Sequence, residues 1–117
     1  MDINVSARGL GIDPNTDSFV RRQIRAALQH FEEQVVSVDA FLEDVNGPKG
    51  GIDKRVLVRV RLRNRQVIAT EIARARLRAA VVVSVRMAKR AVRRSLKKSM
   101  QRRRWRVRPG LREVTES

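Results

Sequence analysis

Cysteine and tyrosine are absent from the 117 residues, and aromatic side chains make up only 3%. Without a thiol there is no disulfide, no thiolate metal site and no thiol nucleophile, so a reducing, cytoplasmic setting is expected. The single histidine, His30, has no second histidine or cysteine to join it, so the three or four ligands of a conventional metal centre cannot be assembled. No stretch reaches the roughly 18 uncharged apolar residues of a membrane span, and the amino-terminal MDINVSARG lacks the basic-then-apolar order of a secretory signal. A soluble chain with no membrane partner follows. Acid is missing too, and over a long stretch: residues 72–112 contain no Asp or Glu.

What is present fits one domain with one core, since 42% of the residues are hydrophobic and no internal repeat is visible. Lys and Arg number 27 against 12 Asp and Glu, for a net charge of +15 and a pI of about 11.8. The imbalance is lopsided. Residues 1–53 carry 5 basic and 9 acidic side chains, whereas residues 54–117 carry 22 and 3. A polyanion is the partner that such a distribution suits.

Hydrophobic periodicity divides the chain into six elements. DINVSA alternates, with Ile3, Val5 and Ala7 on one side of a short strand, and GLGIDPN is a turn. Thr16 or Asp17 can cap a helix running to about Glu33, in which Val20, Ile24, Ala27, Leu28 and Phe31 recur at helical spacing. Its other face carries Arg21, Arg22, Arg25 and Gln29. Alternation resumes over 35–45, with Val36, Val38, Ala40 and Leu42 expected inward and Ser37, Asp39, Phe41 and Glu43 outward. NGPKGG is a hairpin loop. A third strand at 55–63 turns Val56, Val58, Val60 and Leu62 inward, and a tight turn at Asn64 and Arg65 leads to a short fourth strand over roughly 66–70. From about Ala73 to Arg104 there is neither Gly nor Pro, which predicts one long helix. Leu77, Ala80, Val81, Ser84, Val85, Ala88, Val92 and Ser95 form its buried stripe, small at many positions. The fold class is therefore α+β, a β-α-β-β-β-α two-layer sandwich with both helices on one face of a four-stranded sheet. Residues 1–100 form the domain; 101–117 form a basic, flexible extension that Pro109-Gly110 cuts off from any helix.

Catalytic readings find little support. Asp39 and Glu43 are spaced as a carboxylate pair, yet they lie beside a strand bearing Arg59 and Arg61, and cross-strand ion pairs account for them. Gly47, Gly50 and Gly51 match neither GxxxxGK[ST] nor GxGxxG. No enzyme activity, cofactor or metal is expected. The final helix carries the chemistry. Arg86, Arg90, Arg93, Arg94 and Lys97 fall at i, i+4, i+7, i+8 and i+11 along one side, and Lys89 and Lys98 widen it. Like charges at those spacings repel by about 0.2–0.5 kcal/mol per pair, a penalty that an anion would remove. Arginine dominates, and its planar fork suits phosphate contacts. Scarce aromatics favour structured RNA read through backbone and shape. Trp105, within RRRWRVR, either stacks on a base or folds back onto the helix.

The opening DINVSARGLGI, the DVNGPKGGIDKR hairpin followed by VLVRVRLR, and the basic last helix together resemble the short ribosome hibernation promoting factors and ribosome-associated inhibitor proteins of the sigma-54 modulation family. The resemblance covers about residues 1–100. It implies a domain that binds the small ribosomal subunit and its 16S rRNA between head and body, over the A and P sites, excluding messenger and transfer RNA during starvation. The family's basic pair four apart falls on Arg90 and Arg94. A third family cation falls on Met87, beside Arg86. Where the family has an acid and an aromatic near the start of the last helix, this chain has Ala75 or Arg76 and then Arg78. On the first helix Arg22 and Arg25 are the counterparts after a shift of one residue. The long form's dimerisation domain has no counterpart here, so a monomer when free is expected. The rival expectations are a double-stranded RNA-binding domain and a ribosome-assembly protein.

Overall fold

The computed structural model describes residues 1–45 and 53–101, together with the backbone of 102–107. The loop glycines Gly47, Gly50 and Gly51, the Trp105 side chain and the tail from Arg108 onward lie outside the described residues.

The chain runs β1 (Asp2–Arg8), α1 (Pro14–Leu28), a one-turn 3-10 helix (Gln29–Phe31), β2 (Val35–Asp44), β3 (Lys54–Leu62), β4 (Val67–Arg74) and α2 (Leu77–Val107). The sheet order is β1-β2-β3-β4. β1 and β2 are parallel, with α1 as their crossover, and the other two pairs are antiparallel. The β-α-β-β-β-α order and two-layer class read from periodicity are those observed.

Alternation on the strands and the 3.6-residue period on the helices supply one core. Val20, Ile24 and Leu28 of α1 and Ala80, Val81, Val85, Ala88 and Val92 of α2 close over Ile3, Val38, Ala40, Leu42, Val56, Val58, Val60 and Leu62 of the sheet. Small side chains let α2 approach closely. Ser84 is fully buried there, donating from Oγ to the Val56 carbonyl at 3.4 Å, while its own carbonyl accepts from Thr70 Oγ1 at 3.2 Å.

Four boundaries or orientations differ from the sequence expectations. Asp13, not Thr16 or Asp17, caps α1: its carboxylate accepts from the Thr16 amide at 2.7 Å, and Pro14 follows at the first helical position. That amide bond holds the Asp13 carboxyl below its ordinary pKa. α1 proper ends at Leu28, and the 3-10 turn takes up the next three residues. Val36 points outward, because the ladder pairs Val35 with Leu62 and Ser37 with Arg61 and leaves Val36 as an extra residue. Such a bulge moves the inward position to Val35. Finally, β4 extends to Arg74 and α2 begins at Leu77: Ala73 and Arg74 pair with Arg55 and Lys54, so ladder bonds override the helix propensity of ARARLRAA.

Candidate nucleic-acid interface

The helical layer presents the cations. Since every third or fourth residue of α2 points into the core, the intervening positions must face away from the sheet. Arg86, Arg90, Arg93, Arg94, Lys97 and Lys98 are all exposed, and Lys89 is half-buried. Arg22 and Arg25 are exposed on α1, which packs beside α2 in the same layer. None of these side chains forms an ion pair among the described residues.

The neighbouring Arg21 shows the contrast. It is half-buried, bonded through Nε to Asp17 at 2.8 Å and through a terminal nitrogen to the Ile3 carbonyl at 2.7 Å, and so ties α1 to β1. Arg21 is committed to the fold, whereas Arg22 and Arg25 are free to meet a ligand.

Ion pairs gather at the β2–β3–β4 end of the sheet, while Arg59 and Arg61 on its open face have none among the described residues. Glu43 meets Arg55 at 3.3 Å and Arg8 at 3.9 Å, and Arg55 also reaches Glu71 at 3.1 Å. Lys54 bridges Asp44 at 3.3 Å and the buried Asp53 at 3.0 Å, and these contacts raise its pKa. The cross-strand explanation of Glu43 thus holds with Arg55 as the partner instead of Arg59 or Arg61. Asp39 lies opposite Arg59 in the ladder but accepts from Asn4 Nδ2 at 3.1 Å. Among the described residues no group of three or more His, Asp or Glu is placed to hold a metal ion.

Two features of the helical face escaped sequence reasoning. Arg78 lies over the Phe19 ring at 4.5 Å, a cation–π contact joining the start of α2 to α1. Arg93 and Lys97 also form one side of an open cleft of about 870 Å³, with Arg63 and Asn64 from the turn after β3 and His30 and Phe31 from the 3-10 turn. No one-dimensional signal joins positions so far apart in the chain.

The family description "Sigma 54 modulation protein / S30EA ribosomal protein" matches residues 3–104. The chain belongs to that family. It is thereby a ribosome-associated protein of the modulation and hibernation kind, a non-catalytic kind of protein. No curated protein matches the chain significantly. Among solved structures, a ribosomal subunit interface protein from Coxiella burnetii superimposes with a TM-score of 0.70 at 12% identity, covering 83% of this chain and 99% of its own. The N-terminal domain of Thermus thermophilus Protein Y gives 0.67 at 20% identity, covering 80% and 98% respectively. At these identities the superpositions establish a shared fold.

Proposed function

We propose that this S30EA-family protein is a non-enzymatic translation inhibitor. It docks on the small ribosomal subunit over the A and P sites and blocks messenger and transfer RNA. The observation that carries this reading is the exposed row Arg86, Arg90, Arg93, Arg94 and Lys97, which has no carboxylate partner among the described residues and no structural duty. Guanidinium groups spaced along a rigid helix can each meet a phosphate, and desolvation of these contacts requires no rearrangement of the core. Arg22 and Arg25 would extend the grip from α1, with Lys89 and Lys98 at its borders. Residues 1–100 would be the unit that binds 16S rRNA, and the basic extension 101–117 would enter a neighbouring groove.

Cytoplasmic localisation follows from the location of the proposed partner, and no helix of the described residues is long and apolar enough to cross a membrane. The duplex-RNA alternative is less well supported, because that fold has no counterpart of β1, which here pairs with β2 along its length.

Cosedimentation with purified small subunits tests the site. The double variant Arg90→Glu, Arg94→Glu should lose binding by at least about 100-fold, since each reversal removes a charge-assisted contact and adds repulsion, with thermal unfolding unchanged. Undiminished cosedimentation of that variant would reject this surface.

A further inference from the structure

The apolar stripe of α2 does not stop where the sheet stops. Ser95 donates a hydrogen bond to the side chain of Gln66, in the turn between β3 and β4, so residues beyond Ser95 pass the end of the sheet. Leu96 and Met100 continue on the inner side of this overhang. Opposite them stand His30 and Phe31, and together they enclose the cleft of about 870 Å³, which has an apolar floor and opens to solvent. Met100 is 59% exposed, an apolar side chain left uncovered among the described residues.

The rim of the cleft narrows the choice of occupant. Arg63, Arg93 and Lys97 stand around it, and none of the residues lining it is acidic. Arg63 is held in place through a bond from its Nε to the Glu33 carbonyl and another from its amide to the Gln34 carbonyl at 2.8 Å. A ligand with a flat apolar body and at least one negative charge matches this combination. The rings of Phe31 and His30 are surfaces on which a base can stack, and the Gln34 amide can donate to and accept from polar base edges, whereas the Asn64 amide is engaged with Gln66 inside the turn.

We propose that the cleft between the α2 overhang and the 3-10 turn takes an unstacked nucleotide of single-stranded RNA, its base on Phe31 and Met100 and its phosphates on Arg63, Arg93 and Lys97. This rests on the RNA-binding reading above and deepens it. The helical face binds backbone without regard to sequence, whereas the cleft captures one extruded base. A docked RNA would then be held at two kinds of contact with different chemistry.

The test compares the full chain's affinity for a short single-stranded oligoribonucleotide with its affinity for an abasic oligomer of the same length and charge. The base-bearing strand should bind about tenfold tighter, the usual order for one base stacked on an aromatic ring. Met100→Gln, at an exposed position, and Phe31→Leu, which keeps an apolar side chain, should each erode that advantage and leave abasic binding unchanged. A 4-thiouridine in the oligomer should crosslink to the peptides containing Phe31 or Met100. Equal affinity for the two strands would overturn the proposal, as would a base preference unaffected by Met100→Gln. Competition by a free mononucleotide at equal affinity would also overturn it, identifying a small-molecule site instead. Arg90→Glu, Arg94→Glu separates the two claims, because neither residue lines the cleft: the variant should lose small-subunit cosedimentation and keep the base preference, so persisting cosedimentation rejects the helical face alone and a lost base preference rejects the cleft alone.

Discussion

At the scale of single residues, the fold depends on positions that composition does not reveal. Gly9 adopts φ +78°, and a Cβ there would sit 2.8 Å from the Asp44 carbonyl oxygen. Backbone cannot yield as a side-chain tip can. Gly9→Ala should therefore destabilise the protein by about 1–3 kcal/mol, read as a lower urea midpoint with an unchanged slope; an unaltered midpoint would contradict the close approach. The Asn64-Arg65 turn was legible from the residues alone, and Arg65 does take a positive φ of 73°. The division of labour between Arg21 and Arg22 was not. Both are arginines on one helix, and only the presence of Asp17 one turn back and the Ile3 carbonyl across the gap commits the first to structure.

At the scale of elements, α2 has two jobs separated by its own period. Its inward positions are small, with Ala80, Ser84 and Ala88 fully buried against β3 and β4, so the helix axis lies close to the sheet. Ala88→Leu would force extra methylenes into a filled space and should cost about 1–3 kcal/mol, seen in chemical denaturation. Because Ala88 points away from the cationic side, RNA affinity of the folded fraction should not change; a selective loss of affinity would mean that the two faces are coupled. The long uninterrupted apolar-and-basic pattern made this helix legible from one dimension. Its first turn was not, since the choice between extending β4 and starting α2 depends on whether Lys54 and Arg55 are alongside to accept pairing. The bulge at Val36 has the same character: a strictly alternating segment gives no hint of one unpaired residue.

At the scale of the whole molecule, the helical layer carries the long row of cations, none of them in an ion pair among the described residues, whereas the open sheet face pairs Glu43, Arg55 and Glu71 and leaves Arg59 and Arg61 exposed beside them. An electrostatic field directed from one side orients the protein as it approaches a polyanion. Binding to small subunits should weaken linearly in a plot of log affinity against log salt, with a slope of magnitude about 6–8 if all the assigned cations engage phosphates. The Arg90→Glu, Arg94→Glu variant should lower that magnitude by about 2. A slope below about 2 for the unaltered chain would show that the cationic face stays in solvent.

Element order, the buried stripes and the cationic side of α2 were determined by the sequence alone, because each is a local period in which neighbouring positions along one element share a face. Tertiary structure decided everything that required two distant segments to meet. It selected Arg22 over Arg21 as a free cation, placed the Val36 bulge, and set the length of β4. It also brought Phe31, Arg63 and Met100 around one cleft. Periodicity reports which way a side chain points from its own backbone; only packing determines what stands opposite.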